Sequence, residues 1–405
     1  MAKTRILVGL DIGSSAIKTI IAQIKPDKEK LQIILKNQAA VSGVRKGVVI
    51  KVEEVAEAIA SSVKRAEGMI RKKINGVYVN INGSHLFLTS SRGLVSVSRA
   101  DQKISQEDTD RVIQAAQTFS LPSNTEILEV FPKEFIVDGE GGVKEPLGMR
   151  GVRLEVEALA LGGFSPYLKN LTQAVLNSGL QINDFILTPL ASARAVLTPR
   201  EKELGVAVID IGASTTGLAV FEEGNLLQTV IFPLGSANIT NDIAILLRTD
   251  IDTAEKIKIE FGSCFCRGTN KKRKIEGEFL PEPLVFSQKN LTNIIEARVS
   301  EIFNQVNKEL KKIFRQGLLP SGVVLTGGGA KLPKIVELAK KELKLPCRIG
   351  LAQGFSPAPD DSSLSVACGL ALCGLDFEEE GGSSRFGSGR GIGTRLKRIF
   401  KTFIP

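Results

Sequence analysis

Two stretches of the chain share one order of apolar and polar positions. RILVGLDIGSSAIKTIIAQI begins at Arg5, and LGVAVIDIGASTTGLAVF begins at Leu204. Each has an apolar run, Asp-Ile-Gly, small hydroxyl residues and a second apolar run, which predicts a strand, a tight turn and a returning strand. Two copies half a chain apart indicate a duplicated element, and the alternative is two ordinary hairpins with Ser/Thr turns.

The residue types in the two turns suit a nucleotide and its metal ion. Glycine lets a backbone turn sharply and approach a ligand closely, and hydroxyl and N–H groups can bind an anion. Asp11 and Asp210 suit a hydrated Mg²⁺, so we expect them to contact the metal through water. Two facing hairpins would then bind a nucleoside triphosphate between them. The candidate cofactor-binding residues in these hairpins are Gly13, Ser14, Ser15, Lys18, Gly212, Ala213, Ser214, Thr215 and Thr216.

A third segment, GVVLTGGGAKLPKIVELAKKEL, predicts an apolar strand, three glycines and a helix. Gly327, Gly328 and Gly329 permit close approach to a planar or phosphate group, and the N-terminus of the following helix favours anions. A Gly-rich turn is a weak signal on its own. Its place after the two hairpins supports adding these three glycines to the cofactor-binding residues.

Composition limits the function further. Hydrophobic residues make up 43% of the chain, but no run reaches the roughly 18 apolar residues of a transmembrane helix. We therefore expect a cytoplasmic protein without a signal peptide. The net charge of +9 suits an anionic surface, yet no aromatic residues stand among the basic ones as a base-stacking platform, so we do not expect nucleic acid. His85 is interpreted as a packed residue, and the cysteines lack zinc-site spacing.

The order of these three segments resembles the actin and DnaK-type ATPase superfamily. The resemblance implies an α/β fold with two RNase H-like halves, inserted subdomains and bound ATP. In that superfamily a helix with Ala-Glu-x-x-Lys contacts the adenosine, and DTAEKIKIEFG matches it. Glu255 and Lys258 are therefore cofactor-binding candidates, unless the segment is simply a solvated amphipathic helix.

The region between the hairpins resembles the FtsA family of bacterial cell-division proteins. The phrases GSHL…SRG and VDG…GVKEPLGMRGVRLE carry this resemblance, which runs from about Ile6 to Leu375 and again at the C-terminus. It implies subdomain 1A at 1–84 and 163–196, inserted subdomain 1C at 85–162, subdomain 2A at 197–231 and 320–376, and subdomain 2B at 232–319. Within 1C we expect a helix from about Ser105 to Phe119.

The chain departs from the FtsA pattern where hydrolysis would occur. The second phosphate motif of the family usually reads close to DxGxGTTD, whereas this chain has Ala213, Ser214 and Gly217 at the altered positions. Thr188 stands where polymerising relatives carry a Glu that orients the attacking water. Because a hydroxyl is no general base at neutral pH without an activator, we expect ATP binding with slow or negligible hydrolysis, unless another side chain substitutes. No catalytic residue is assigned, and Asp11 and Asp210 are expected only to contact Mg²⁺ through water.

The C-terminal segment predicts an interfacial helix at 392–405 after a Gly- and Ser-rich flexible linker at 377–391. The apolar side of its helical wheel contains Ile392, Leu396, Ile399, Phe400 and Phe403, and the basic side contains Lys397, Arg398 and Lys401. Such a helix places its apolar face in the acyl boundary and its cations at anionic headgroups. The alternative is a helix that docks on its own domain.

Motifs and resemblance together predict an ATP-binding, actin-like adaptor on the cytoplasmic face of the cell membrane at the division septum. Its expected partners are the C-terminal peptide of FtsZ, other copies of itself, anionic lipids and later division proteins. The FtsZ peptide would dock on subdomain 2B, where Arg298 and Lys308 are either its contacts or plain surface residues. The alternatives are a PilM-like pilus assembly adaptor and a soluble kinase of the same fold, although a kinase needs a positioned carboxylate base, and none can be nominated outside the Asp pair expected to face Mg²⁺.

Overall fold

The computed structural model describes residues 5–24, 30–118, 121–265, 272–275 and 284–379. The first half opens with β1 (Arg5–Ile12), β2 (Ala16–Ile24), β3 (Gln32–Ala40), β4 (Val44–Arg45), β5 (Val48–Val49), α1 (Val52–Ile70) and β6 (Gly76–Ile81). An inserted domain follows, with β7 (Phe87–Ser96), α2 (Gln106–Ala115), β8 (Thr125–Val137), β9 (Glu140–Val143) and β10 (Arg153–Phe164). After it come α3 (Ser165–Asn177), β11 (Gln181–Leu187), α4 (Thr188–Val196) and α5 (Pro199–Leu204).

The second half contains two groups of elements. The first group is β12 (Val206–Ile211), β13 (Thr216–Glu222), β14 (Asn225–Phe232), α6 (Ser236–Leu247), α7 (Ile251–Phe261), β15 (Lys272–Ile275) and β16 (Leu284–Ser287). The second group is α8 (Gln288–Lys312), β17 (Val323–Thr326), α9 (Ile335–Leu343) and β18 (Cys347–Ile349). The described chain ends with α10 (Ser365–Glu379).

The two halves are built around equivalent five-stranded sheets. Their strand orders are β11-β6-β1-β2-β3 and β14-β13-β12-β17-β18. In each, the hairpin predicted from the sequence is antiparallel, and its first strand pairs in parallel with a later one, β6 or β17. The structure therefore confirms the duplicated element and the actin-like α/β fold.

The hairpin strands are buried because helices cover the sheets. Apolar runs such as that of β12, all six residues of which are buried, are typical of strands packed on both faces. In the second half, α8 contributes apolar side chains at spacings of three and four residues, so that one face of the helix lies in the core. This packing holds the two Asp-Ile-Gly turns at the ends of rigid strands.

The inserted domain has its own core beneath an antiparallel sheet of order β7-β10-β8-β9. Helix α2 lies so close to β7 that a Cβ on Gly93 would come within 2.1 Å of the carbonyl oxygen of Val112. Ser105 caps this helix in a capping box with Asp108. The helix ends at Ala115, short of the predicted end at Phe119, which lies outside the described residues.

Helix α10 packs on the first sheet, against β1, β2 and β6, although the proposed boundaries group it with the second half. A Cβ on Gly9 of β1 would come within 2.1 Å of the carbonyl oxygen of Ala367, so only glycine permits this approach. Arg194 of α4 forms a two-point ion pair with Asp376 near the end of α10. The helix therefore fastens the C-terminal part of the described chain to the first half.

Candidate functional site

The two Asp-Ile-Gly turns fold in the same way. In the first, the N–H of Gly13 donates to the carbonyl of Ala16 at 3.1 Å, and in the second the N–H of Gly212 donates to the carbonyl of Thr215 at 2.8 Å. A Cβ on either glycine would lie 2.9 Å from the carbonyl oxygen that closes its turn. Glycine is therefore needed at both positions, and the matching geometry supports the duplicated element.

The turns meet across the boundary between the two halves. The hydroxyl of Ser214 donates to that of Ser14 at 2.5 Å, and the side-chain amide of Asn82 donates to Thr215 Oγ1 at 3.2 Å. The N–H of Gly47 also donates to Ser14 Oγ, at 3.1 Å. Sequence analysis predicted that the turns face each other, and the described structure brings them into direct contact.

A cleft runs between the turns and joins most of the predicted residues. Its lining includes the predicted residues Asp11, Gly13, Ser14, Ser15, Lys18, Asp210, Gly212, Ala213, Thr215, Gly327 and Gly328. It also includes Asn82 and Ser363, which sequence analysis missed, and Thr188. Ser214 and Thr216 belong to the second hairpin but do not line the cleft, and Gly329 packs against Ile211 beneath it.

Asp11 and Asp210 are buried carboxyl groups beside this cleft, with exposed fractions of 6% and 5%. Burial raises the pKa of Asp11 to about 6, with the Lys18 ammonium acting against the rise and Asp210 adding to it. Burial also raises the pKa of Asp210, although the hydroxyl of Ser192 donates to its carboxylate at 2.9 Å. Two carboxyl groups that water does not stabilise fit a nearby divalent cation, so the site suits hydrated Mg²⁺.

Lys18 links the first hairpin to the loop that precedes α10. Its ammonium donates to the carbonyl of Ser363 at 2.8 Å and lies 3.9 Å from Asp11 Oδ2. The side chain therefore carries a positive charge into the cleft from the strand that returns after the first turn. An anionic ligand between the turns would find this cation together with glycine N–H groups.

The glycine-rich segment differs in part from its prediction. Gly327 has φ of +85°, and a Cβ there would lie 2.3 Å from Asp210 Oδ1, so the segment does approach the buried carboxyl closely. However, a 3₁₀ turn from Gly328 to Lys331 follows, and α9 begins at Ile335. The predicted helix therefore begins later than expected, because the 3₁₀ turn separates α9 from the glycines, and the attraction of its N-terminus for an anion stays a prediction.

Thr188 has a hydroxyl group that is already bonded on both sides. It donates to the carbonyl of Ile81 at 2.9 Å and accepts from Asn80 Nδ2 at 3.2 Å. Asn80 in turn accepts from the N–H of Ile12 at 2.7 Å, next to the first turn. These bonds leave the hydroxyl poorly placed to orient a water molecule.

Glu255 and Lys258 lie on α7, close to the second turn but outside the cleft lining. Lys258 is buried, and its ammonium donates to Thr240 Oγ1 at 2.9 Å and to the carbonyl of Ser236 at 3.3 Å. Ser236 donates its own N–H to the carbonyl of Gly212 at 2.9 Å. The predicted adenosine residues are thus connected to the second turn through α6, and Lys258 is no solvated surface lysine.

The candidate partner residues occupy different environments on α8. Arg298 makes a two-point ion pair with Asp242 and a further one with Glu301. Lys308 lies ten residues further along the same helix and has an exposed side chain. An acidic peptide would therefore have to compete with two carboxylates for Arg298. At Lys308 it would meet no competing partner among the described residues.

Two further predictions concern His85 and the C-terminal helix. The ring of His85 packs edge-on against Tyr167 at 5.1 Å, and burial lowers its pKa to about 4, which agrees with a packed neutral residue. The predicted interfacial helix, with Ile392, Leu396, Lys397, Arg398, Ile399, Phe400, Lys401 and Phe403, lies outside the described residues. Among the described helices, none combines the length and the apolar character that crossing a bilayer requires.

Two family models match the chain. "Cell division protein FtsA" matches residues 207–369, and "SHS2 domain inserted in FTSA" matches residues 83–161. Among curated relatives, the cell division protein FtsA of Neisseria meningitidis is 37% identical, with 96% of each chain covered. The FtsA of Bacillus subtilis is 38% identical and covers 86% of this chain and 79% of its own.

Solved structures with lower identity share the fold. A PilM-PilN type IV pilus biogenesis complex matches with a TM-score of 0.66 at 19% identity, covering 91% of this chain and 98% of that one. MreB5 of Spiroplasma citri bound to ADP matches with a TM-score of 0.56 at 15% identity, covering 93% and 97%. At these identities the likeness concerns the actin-like architecture alone.

Proposed function

Because this chain belongs to the FtsA family of cell-division proteins, we propose that it is an ATP-binding adaptor that links FtsZ filaments to the membrane. It would bind ATP with Mg²⁺ between its two halves, polymerise on the inner face of the cytoplasmic membrane and assemble with FtsZ at the division septum. Later division proteins would join this assembly.

The cleft between the two Asp-Ile-Gly turns is the observation that carries the proposal. Glycine backbone, hydroxyl groups and the Lys18 ammonium line a space that suits the phosphates, and Asp11 and Asp210 would hold Mg²⁺ through water. Bound ATP would separate Ser14 from Ser214 and break the hydrogen bond between their hydroxyl groups. Its adenosine would lie toward α7, where Glu255 and Lys258 flank the second turn.

The membrane and FtsZ parts of the proposal are supported by sequence pattern and family. The alternation of apolar and basic residues at 392–405 is typical of an interfacial helix. Such a helix binds weakly on its own, and polymerisation would bring many of them to one surface and raise avidity. On α8, the exposed Lys308 and the more constrained Arg298 would meet the acidic FtsZ peptide.

Hydrolysis of ATP would be slow or absent. The hydroxyl of Thr188 is bonded to a carbonyl and an amide, and Asp11 and Asp210 would be occupied by the metal's water shell. No general base is then aimed at an attacking water by these three residues. The protein would use ATP to set its conformation and assembly rather than as a substrate to turn over.

Co-sedimentation with vesicles that contain anionic lipid tests the proposal. The full chain is compared with a chain truncated after Phe377, each with and without Mg-ATP. We expect only the full chain to pellet with the vesicles, and Mg-ATP to increase the pelleted fraction. A Phe403→Glu variant of the full chain provides a matched control, because it keeps the length and alters the apolar face.

The opposite results would redirect the assignment. If neither chain pelleted with vesicles, the membrane adaptor function would be wrong, and a PilM-like adaptor or a soluble kinase would need testing. If equilibrium dialysis found no ATP binding in the presence of Mg²⁺, the nucleotide part of the proposal would be wrong as well.

A further inference from the structure

Five exposed cationic side chains lie at the end of α1 and in the loop that follows it. They are Lys64, Arg65, Arg71, Lys72 and Lys73, and we call them the basic edge. The acidic residues Glu53, Glu54 and Glu57 occupy the first turns of the same helix, so apart from Glu67 the acidic and basic residues lie at opposite ends of it. Met69, between the two groups of cations, is 65% exposed.

The basic edge lies where the parallel strands of the first sheet begin. Strand β6 starts at Gly76, three residues after Lys73, and runs parallel to β1, which starts at Arg5. Helix α1 precedes β6 and therefore ends at this side of the sheet. The first Asp-Ile-Gly turn follows β1 at the other end of that strand, so the basic edge is remote from the cleft.

Helix α10 ends at the same side of the sheet. It runs antiparallel to β1, since Ala367 contacts Gly9 and Glu378 forms an ion pair with Arg5 at 3.6 Å. Near its end, the ring of Phe377 packs edge-on against Tyr78 of β6 at 6.4 Å. The end of α10 and the basic edge therefore lie at the same end of the β1 and β6 strands.

The cations of the basic edge carry no described counter-charge. Within the ranges that the structure describes, none of the five forms an ion pair or side-chain hydrogen bond. The carboxylate of Glu67, which is the acidic residue nearest in sequence, accepts from the N–H of Ile74 at 2.7 Å. Glu378 is engaged by Arg5. This leaves a cluster of strong hydrogen-bond donors facing solvent around an exposed thioether.

We propose that the basic edge binds anionic phospholipid headgroups directly, as a second membrane contact beside the C-terminal segment. This inference rests on the proposed membrane function and adds a surface on the folded body to it. Clustered cations are attracted to an anionic leaflet, and Met69 could enter the headgroup boundary. Stable anchoring generally takes two weak signals, for which an interfacial helix and a polybasic surface are a suitable pair.

A lipid surface fits these residues better than nucleic acid does. From Val52 to Val77 the chain contains no aromatic residue on which a base could stack. The cations also occupy a helix end and a loop at one edge of a sheet, rather than a groove that could follow a strand.

The test compares two full-length triple variants that lose the same charge. Arg71→Gln/Lys72→Gln/Lys73→Gln alters the basic edge, and Lys334→Gln/Lys340→Gln/Lys344→Gln alters exposed lysines around α9 in the second half. Binding is measured on vesicles of 30% phosphatidylglycerol in phosphatidylcholine and on phosphatidylcholine alone. Circular dichroism and ATP binding verify that both variants are folded.

We expect the basic-edge variant to bind the anionic vesicles roughly a hundred-fold more weakly at low salt, since three cations near the surface are removed. The α9 variant should bind like the unaltered chain, and the difference should shrink at high salt because of screening. On neutral vesicles all three proteins should behave alike.

Three results would overturn the inference. Equal weakening of both triple variants relative to the unaltered chain would show that net charge alone matters. Unchanged vesicle binding with a loss of salt-sensitive DNA binding would assign the basic edge to nucleic acid. Failure of the unaltered chain to bind any vesicle would remove the proposed membrane function together with this inference. A full-length Phe400→Glu/Phe403→Glu variant separates the two contacts, because it removes only the contribution of the C-terminal segment.

Discussion

Replacing Asp11 by Asn should stabilise the protein without nucleotide while removing its response to Mg-ATP. The carboxyl group is buried beside Asp210, and its pKa is raised from 3.8 to about 6, chiefly by burial. Because the folded state holds the proton more tightly than the unfolded chain, this group favours folding fully below pH 3.8. That contribution is lost as the pH rises through about 6.

The size of the effect follows from the shift of about two pKa units. Each unit corresponds to 1.36 kcal/mol, so an ionised Asp11 destabilises the folded state by about 3 kcal/mol at pH 7.5, relative to a group with no shift. Asn has a similar shape and no charge to bury. The variant should therefore gain up to this amount at pH 7.5 and nothing at pH 4.

Thermal unfolding at several pH values, with and without Mg-ATP, measures both parts. The midpoint of Asp11→Asn should exceed that of the unaltered chain by a few degrees at pH 7.5, and the gap should close towards pH 4. Mg-ATP should raise the midpoint of the unaltered chain but not that of the variant. Asp360→Asn, which changes an exposed carboxyl, serves as control. A variant that is less stable by the same amount at every pH would refute the reasoning.

Three further changes probe other parts of the structure. Gly327→Ala should abolish ATP binding measured by equilibrium dialysis, because its Cβ would lie 2.3 Å from Asp210 Oδ1 at φ of +85°; retained affinity would show that the glycine-rich segment can move aside. Thr188→Glu should raise ATP turnover, measured by phosphate release, by about 10²-fold or more if a general base is what the site lacks, and an unchanged rate would place the deficiency elsewhere. Arg194→Ala should lower stability in urea unfolding by about 3 kcal/mol because it leaves the partly buried Asp376 without its two-point partner, whereas a loss below about 1 kcal/mol would mean that the pair is solvated.

Much of the fold was predictable because its signals are local. The Asp-Ile-Gly turns lie between apolar runs. Two apolar strands joined by a short turn with Gly13 or Gly212 predict the antiparallel hairpins that the structure has. That the turns face each other followed from the duplication. The contact between Ser14 and Ser214 did not, since it depends on how the two halves are placed.

Long-range contacts account for the residues that were missed. Asn82 and Ser363 reach the cleft from segments whose sequences look like ordinary loops, and the sole available signal was an Asn at the end of an apolar strand. The error at α9 has a local cause. In GGGAKLPK a 3₁₀ turn and then a proline follow the glycines. Helix α9 therefore begins later than the apolar spacing alone predicts.

The course of α10 has a mechanical consequence. The helix begins two residues after Ser363, whose carbonyl is held by Lys18 in the cleft, and spans fifteen residues to the opposite side of the sheet. At 1.5 Å per residue it is a rod of about 22 Å, which contacts Gly9 in its first half and is held near its end by Arg194. A pull on the chain beyond residue 379 would therefore be carried along a stiff helix toward Ser363, which Lys18 connects to the first Asp-Ile-Gly hairpin. If the cleft binds nucleotide as proposed, nucleotide at the start of α10 and tension at its end would act on the same helix.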